Sequence, residues 1–419
     1  NHGVHISGEL EFSTLLINGV AGNGLASHGV LFDSDFVENL LSGTIDVIGT
    51  AGSSGGSFGI DFSGSITNCN SLTFSGVSSS VSGAGVHLRD GFVSGLGPLY
   101  SITGECDIQS PCDGVRVQLF EVVAAFSTVN IMGVIDSTNS NSIGVHLPAG
   151  SNLIHQSGTM NLISSSSSTG TNNFGFLLDD GTITADVLVI EGNARGDGGS
   201  NVGVKQQGFA SFITASSLTV TGVCISTNSN TLSNHGISLE EGNIDVGGLI
   251  SLEGTAGLGL FSDGVQLNLI LMRSTNGISV RGTAQSDSVQ SVGVRIIDGD
   301  ETIQCSGTGE IRYFGDSSSD MISEILCENT YVDATKENGQ IIFESIFESP
   351  SVDMKLESGG GAYDIDFQAG GEISNTVTLS NSGTVRMDGF SRQNFQIGGN
   401  WNIDSASQTL LSGEFIVLG

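Results

Sequence analysis

Apolar and polar residues alternate in short runs along most of the chain, and each run is bounded by Gly, Ser, Asn or Asp. Alternation with a period of two is typical of a β-strand with one buried face, and the bounding residues are typical of turns. Helix-forming residues do not cluster at helical spacing over any long stretch. The pattern therefore predicts an all-β fold with an aliphatic core, since aromatic residues make up only 6% of the chain.

A Gly followed by an apolar residue opens one of these runs at a nearly constant interval. The interval recurs from Gly3 to Gly293, which is 290 residues in ten steps and a mean of 29. The glycines of the series are Gly3, Gly29, Gly59, Gly85, Gly114, Gly144, Gly175, Gly203, Gly236, Gly264 and Gly293. Two more strands and a loop rich in Ser, Thr, Asn and Gly complete each unit. Such a unit cannot bury its apolar side alone, so the repeat predicts a parallel β-helix (β-solenoid) with about three short strands per coil.

The regularity of the repeat divides the chain into three parts. Residues 1–314 are predicted as regular solenoid, 315–362 as an irregular coil or an insertion, and 363–419 as a continuation with shorter coils, with a separate β-sandwich as the alternative. The first residues, "NHGVHISGELEF", are similar to "SNHGISLEEGNI" at 233–244. Because bare strand edges favour pairing with further strands, we expect end-to-end stacking on other copies or on adjoining repeats of a longer chain.

The net charge of −32, from 44 acidic and 12 basic residues, restricts the partners of this chain. Nucleic acid is excluded because 12 scattered cations cannot follow a phosphate backbone. Anionic membrane surfaces would repel the chain, and no apolar stretch is long enough for a transmembrane helix. Diffuse Ca²⁺ binding is compatible with the charge, although no Ca²⁺-binding loop motif occurs. We therefore expect no dedicated cofactor.

The repeat unit resembles that of bacterial surface-exposed parallel β-helix proteins. These are autotransporter passengers, filamentous-haemagglutinin-like exoproteins and β-strand-repeat adhesins. The matching units are "GVHL", "DDGTI" and "VLVIEG" with the polar loops between them, over about residues 3–314 and more loosely to 419. The resemblance implies a right-handed helix, export from the cell, and a role in attachment or surface structure. The mean coil is longer than the compact coils common in that class, and six Cys are more than expected there.

Parallel β-helices also include polysaccharide lyases and glycosidases, so acidic pairs need testing. Asp179 and Asp180 form the best local pair. Adjacent strand residues point to opposite faces, and the same position is occupied by Glu240 and Glu241 in another unit, so turn formation explains both pairs better than glycosidase chemistry.

A lyase would need a basic residue beside acidic metal ligands. The local hints are Arg89 beside Asp90, and Arg295 near Asp298 and Asp300. None of these groups stands out from the repeat, so no catalytic residues are predicted and the chain is expected not to be an enzyme.

The histidines recur at fixed phases of the repeat. His2, His28 and His235 precede the Gly of a unit, whereas His5, His87 and His146 are third in the Gly-led strand. His2 and His28 are expected to stack in consecutive coils. Metal binding would need a third ligand, so the pattern favours a solvent-facing ladder, and no metal ligands are predicted.

Six cysteines show no zinc-binding spacing. In an exported chain disulfides are allowed. The candidate pairs are Cys106 with Cys112, within "CDIQSPC", and Cys305 with Cys327, while Cys69 and Cys224 stand singly in strand positions.

These observations predict an extracellular or cell-surface solenoid with a structural or adhesive role, assembling end to end into filaments or forming part of a long surface adhesin. Binding to surface glycans or another host ligand is expected through the loops at 137–142, 165–173 and 226–234. The alternatives are a carbohydrate-active β-helix enzyme and a phage or viral fibre-like spike.

Overall fold

The fold was analysed in a computed structural model. It describes residues 2–10, 13–33, 37–107, 111–122, 127–136, 140–229, 232–285, 291–297, 302–305, 310–317, 325–328, 333–336, 339–349, 354–357, 363–373, 377–380, 383–388, 395–397, 401–404, 408–412 and 415–417.

Every regular element in these ranges is a β-strand. The strands up to the middle of the chain are β1 (Val4–Ile6), β2 (Glu9–Leu10), β3 (Thr14–Val20), β4 (Val30–Phe32), β5 (Val37–Thr50), β6 (Phe58–Phe62), β7 (Ser65–Ser78), β8 (Ala84–Cys106), β9 (Asp113–Val122), β10 (Thr128–Ile135), β11 (Ile143–Leu147), β12 (Asn152–Ile154), β13 (Thr159–Ser166), β14 (Phe174–Asp179), β15 (Thr182–Arg195), β16 (Val202–Gln207) and β17 (Phe212–Ile225). They are followed by β18 (His235–Glu240), β19 (Asn243–Val246), β20 (Leu249–Ala256), β21 (Val265–Asn268), β22 (Leu271–Ser274), β23 (Gly277–Ala284), β24 (Val294–Ile297), β25 (Thr302–Cys305), β26 (Ile311–Ser317), β27 (Ile325–Glu328), β28 (Asp333–Lys336), β29 (Gly339–Phe343) and β30 (Phe347–Ser349). The last are β31 (Met354–Glu357), β32 (Tyr363–Phe367), β33 (Gly371–Ile373), β34 (Val377–Ser380), β35 (Thr384–Asp388), β36 (Phe395–Ile397), β37 (Trp401–Asp404), β38 (Gln408–Ser412) and β39 (Phe415–Val417).

The chain divides into two compact units, residues 1–215 and 216–419. In both units the strands pair in parallel with the equivalent strand of the next coil, which confirms the predicted β-solenoid. In the first unit Val4 pairs with Val30, Val30 with Ile60, and Ile60 with Val86. Each of these residues directly follows a Gly of the predicted series, so the repeat in the sequence is the coil of the structure.

Each coil contains three strand segments, which we call A, B and C in chain order. In the first unit the A strands are 4–6, 30–32, 58–62, 84–88, 113–117, 143–147, 174–179 and 202–207. The B strands include 65–66, 91–93, 120–122 and 152–154, and the C strands are 14–20, 44–50, 71–78, 99–106, 128–135, 159–166 and 187–194. Long strands such as β8 run through all three segments of one coil.

The interior is aliphatic with stacked aromatic rings, because alternate residues of every strand point inward. In the first unit Phe32, Phe62 and Phe74 are fully buried and their ring centroids lie 5.4–6.0 Å apart. In the second unit Phe343 lies parallel to Tyr313 at 5.4 Å and to Phe367 at 4.8 Å. Burying such side chains is the main term that stabilises coil stacking.

The coils of the second unit become shorter toward the end of the sequence. Val265 pairs with Val294 across a coil of ordinary length, whereas Ile325 pairs with Phe347, and Phe395 with Phe415, across shorter coils. Strand pairing thus continues through 315–362, and every described pair within 363–417 is parallel.

In most coils a Gly near the end of the C strand contacts the Gly that begins the next A strand; in one coil Ser164 replaces the Gly of the C strand. A Cβ atom added at Gly76 of a C strand would lie 2.0 Å from the carbonyl oxygen of Gly85, which begins the next A strand. A Cβ added at Gly85 would in turn lie 2.3 Å from the amide nitrogen of Glu105. The backbones touch at this point, so a Cβ at either Gly would collide with backbone atoms. The contact separates the aliphatic interior from a smaller polar interior under the loop.

Candidate functional site

Small polar side chains form ladders in the interior under the loops. The amide of Ser27 donates to Ser57 Oγ at 3.0 Å, and the amide of Ser57 donates to Ser80 Oγ at 2.9 Å. Asn173 uses its amide and its side-chain nitrogen to donate to Asn201 Oδ1, both at 3.0 Å. These ladders satisfy buried backbone groups between coils and hold the loops in register.

The A strands of the first coils carry a buried ionic cluster around Asp61. This carboxylate accepts two hydrogen bonds from Arg89, Nε at 2.9 Å and Nη2 at 3.1 Å. His87 Nδ1 lies 3.0 Å from Asp61 Oδ1, and its Nε2 lies 3.1 Å from Gln118 Oε1. His28 Nε2 lies 3.7 Å from Asp61 Oδ2, and His28 Nδ1 accepts the amide hydrogen of Phe58. The cluster connects four consecutive coils.

In this cluster, burial and the attraction of opposite charges act on each pKa in opposite directions, and the pKa values of both His28 and Asp61 are below their ordinary values. Burial is the largest cause that lowers the pKa of His28 to about 4, only partly opposed by the charge of Asp61. Burial alone would raise the pKa of Asp61, but the hydrogen bonds and charges of His87 and Arg89 outweigh it and lower that pKa below its ordinary value. At neutral pH the cluster therefore holds a neutral His28 beside an ionised Asp61.

Two further clusters have the same arrangement, in which a buried Asp lies beside one Arg and one His. Asp113, which is buried, pairs with Arg116 at 2.5 Å and with His146 at 3.1 Å. The pKa of Asp113 lies below its ordinary value: burial raises it, and the charges and hydrogen bonds of His146 and Arg116 lower it by more.

In the second unit the buried Asp263 accepts two hydrogen bonds from Arg295, at 2.7 and 3.1 Å. His235 Nδ1 accepts the amide hydrogen of Asp263. In each cluster the buried carboxylate is paired with an Arg of the same cluster. Buried charges that are paired in this way are typical of a structural role.

The prediction of a solvent-facing histidine ladder is wrong for His28, His87 and His235, whose exposed fractions are 7%, 6% and 6%. Strand alternation points residues such as His87 away from the aliphatic interior, but Phe58 packs against its ring at 4.5 Å, and Asp61 and Gln118 lie within hydrogen-bond distance of it. His2 and His28 do stack as predicted, with parallel rings and centroids 5.0 Å apart. His5 is exposed and lies 3.1 Å from Asp33.

The acidic pairs lie in the bends between A and B strands, as the turn interpretation predicted. Asp180 and Glu241 have left-handed backbones, with φ of 49° and 64°. Asp180 Oδ1 accepts the amide hydrogen of Ala210 in the next coil, and Asp179 Oδ1 accepts a hydrogen bond from Gln207. These carboxylates therefore connect coils.

The two arginines considered for lyase chemistry form salt bridges with carboxylates of the preceding coil. Arg89 pairs with Asp61, and Arg295 pairs with Asp263. Asp298 and Asp300 lie outside the described residues.

Cys106 and Cys112 form a disulfide, with 6.4 Å between their Cα atoms. They pack against Ile135 under the loop that they close. Cys69 and Cys224 are buried, and burial raises the pKa of Cys224 to about 12. The side chains of Cys305 and Cys327 lie outside the described residues, so their pairing stays a prediction.

The polar loops that were predicted to bind a ligand contact one another between coils. Asn172 donates to Asn141 Oδ1 at 3.1 Å, and the amide of Thr171 donates to Ser140 Oγ at 3.0 Å. Residues 137–139 and 230–231 of these loops lie outside the described residues.

An open groove of about 330 Å³ crosses several coils of the first unit at the bend between A and B strands. Ser65, Phe92 and Glu121 are register partners in successive B strands, so their side chains follow one another along the groove. The full lining is Ser65, Asp90, Gly91, Phe92, Leu119, Phe120, Glu121 and Asn152.

The groove combines exposed apolar side chains with acidic ones. Phe92 is 37% exposed and Leu119 58% exposed. Asp90 and Leu119 both have left-handed backbones, with φ of 47° and 46°, which places them on the outer side of two consecutive bends. Within the described part of the chain, neither Asp90 nor Glu121 makes a hydrogen bond or a salt bridge through its side chain.

This groove was not predicted from the sequence. The available signal was "DGFV" at 90–93, where strand alternation points Phe92 outward, but nothing in the sequence shows that Glu121 and Ser65 lie beside it.

Among the described residues, no three His, Cys, Asp or Glu side chains are grouped as metal ligands. None of the described elements is a helix that is long and apolar enough to span a membrane.

The fold defines a class, a parallel β-solenoid with coils of about 29 residues. No family model, no curated protein and no solved structure matches the chain.

Proposed function

We propose that this chain is an extracellular structural or adhesive β-solenoid, which packs side by side with other copies through the outer face of its C strands. The observation that carries the proposal is a group of exposed apolar side chains on that face, Leu16, Val20, Ile48 and Met132. We call the outward residues of the C strands of the first unit the C face.

The C face consists of three rows of register partners. They are Leu16, Asp46, Thr73, Ser101, Asn130, Asn161 and Val189; Asn18, Ile48, Ser75, Thr103, Met132, Ile163 and Glu191; and Val20, Thr50, Val77, Glu105, Val134, Ser165 and Asn193. Asp46, Glu105 and Glu191 are acidic, and the other members are uncharged. Each face therefore carries a small net negative charge, which two more carboxylates would raise substantially.

The dimensions of the C face suit contact between two copies. Seven strands spaced about 4.8 Å apart, with an exposed length of about 20 Å each, offer about 600 Å². Two such faces bury about 1,200 Å², the lower limit for a stable specific interface. Exposed apolar side chains, among them Ile48 at 41% and Met132 at 38%, add hydrophobic contact.

The location outside the cell is supported by the disulfide between Cys106 and Cys112, because disulfides persist in oxidising compartments. The resemblance of the repeat to bacterial surface β-helix proteins points the same way. Protease added to intact source cells is then expected to digest the chain, whereas protection until lysis would contradict this location.

Sedimentation velocity over a range of concentrations tests the packing. We expect the wild-type chain to self-associate, and Thr103→Glu with Asn130→Glu to shift it to the monomer, because each copy then brings two more like charges to the contact. Thr182→Glu with Thr184→Glu is the matched control, since both threonines lie in the B segment of β15. The proposal is refuted if the wild type stays monomeric or if both double variants associate equally.

A further inference from the structure

We propose that the groove at the bends between A and B strands binds a short oligosaccharide of amino sugars. This site is separate from the C face, so it does not depend on self-association.

The shape of the groove fits an oligomer of limited length. Its volume of about 330 Å³ lies near the lower end of the range for small-molecule sites, about 300–1,000 Å³. Ser65, Phe92 and Glu121 come from three successive coils, which stack about 4.8 Å apart. A chain ligand that lies along the stack meets these side chains in turn, whereas a single sugar ring would reach only part of the lining.

The apolar part of the lining fits the face of a sugar ring. Phe92 exposes 37% of its surface, and Leu119 lies on the neighbouring coil. An aromatic surface beside a few polar groups is the usual lining of a small-molecule site. Ser65 and Asn152 at the two ends of the lining can donate and accept hydrogen bonds with sugar hydroxyls.

The charge of the lining selects a cationic ligand. Asp90 and Glu121 are carboxylates, and the lining contains no Lys, Arg or His. The nearest cation in sequence, Arg89, donates its hydrogen bonds to Asp61, and these bonds together with the charges of Asp61 and Asp90 raise the pKa of Arg89. A ligand with protonated amines would add positive charge beside Glu121, and an anionic polysaccharide would be repelled. Amino sugars combine this charge with a ring that can pack on Phe92.

Isothermal titration calorimetry at pH 6 and 150 mM salt compares two probes, the glucosamine trimer and the N-acetylglucosamine trimer. The two differ in charge and in the acetyl groups. Salt at this concentration screens exposed charges beyond about 8 Å, which suppresses general attraction to the acidic chain. We expect the glucosamine trimer to bind at least about tenfold more tightly than the acetylated trimer.

Three variants decide whether the groove is the site. Glu121→Gln and Phe92→Ala are each expected to weaken binding of the glucosamine trimer about tenfold, and Glu121→Gln keeps the side-chain shape, so misfolding does not explain its loss. Glu105→Gln removes the same charge from the exposed C face and is expected to bind as the wild type does. Absence of binding by the wild type, equal affinity for the two trimers, or equal effects of Glu121→Gln and Glu105→Gln would each overturn the assignment.

Discussion

Replacing Gly76 by Ala tests the contact between the C and A strands. The added Cβ would lie 2.0 Å from the carbonyl oxygen of Gly85 and 2.7 Å from its carbonyl carbon, where ordinary contacts begin at 3.4 Å. The two backbones must therefore separate substantially in a place where both are held by parallel pairing on either side. Overpacking of this kind costs about 1–3 kcal/mol. We expect the upper end of that range because the clashing atoms belong to the backbone.

The assay is thermal and urea unfolding followed by far-UV circular dichroism. A loss of about 3 kcal/mol lowers the Tm of a unit of this size by about 6–12 °C. Gly22→Ala is the matched control, because a Cβ at Gly22 meets no atom within 4 Å and its φ is not left-handed. That change is expected to be neutral or to stabilise by about 0.4–1 kcal/mol, since Ala restricts the unfolded chain. If Gly76→Ala unfolds within about 0.5 kcal/mol of Gly22→Ala, the reasoning about the glycine contact is refuted.

Three further predictions concern the buried charges and the disulfide. Asp263→Ala removes the carboxylate partner of the buried Arg295, so the free energy of unfolding should fall by about 3–5 kcal/mol in urea titrations; adding Arg295→Leu should restore much of it, and a double variant no more stable than the single one would contradict this. The folded pKa of His28 is about 4, below the ordinary 6.5, so the unfolded chain binds more protons between these values and stability should fall as the pH is lowered from 6.5 to 4. His28→Asn keeps an acceptor for the backbone amide and should flatten this slope, which urea midpoints at pH 7 and 4.5 would reveal. Cys106 and Cys112 lie in one tryptic peptide, 90–116; they should resist alkylation until reduced, and Cys106→Ser with Cys112→Ser should cost about 2 kcal/mol.

The pH range over which His28 changes the stability differs from the pH range over which Asp61 changes it. The pKa of Asp61 is lowered below 3.8, so its contribution is present above the unfolded pKa and is lost only as the pH falls through the lower folded value. A loss of stability between pH 6.5 and 4 that persists in His28→Asn would assign the effect to another group.

The sequence by itself determined the fold of the coil. Alternation of apolar and polar residues defines one inward face, and a Gly at a nearly constant interval marks each A strand. Val4, Val30 and Ile60 each directly follow such a Gly, and in the structure Val4 pairs with Val30 and Val30 with Ile60 in parallel strands. Turn chemistry at Asp180 was also predictable, because a polar residue before Gly suits the left-handed bend that the structure shows.

Only the tertiary structure decided what happens on the outer side of the A strands. Alternation points Asp61 and His87 away from the aliphatic interior, yet they are 2% and 6% exposed, because side chains of their own and neighbouring coils, among them Phe58 and Arg89, pack against them. Similarly, strand alternation points Phe92 outward. Which residues lie beside it, Ser65 and Glu121, depends on the unequal lengths of the successive coils. The physical reason is that alternation is a local property of a strand, whereas neighbours across coils depend on how many residues each intervening loop absorbs before the chain pairs again.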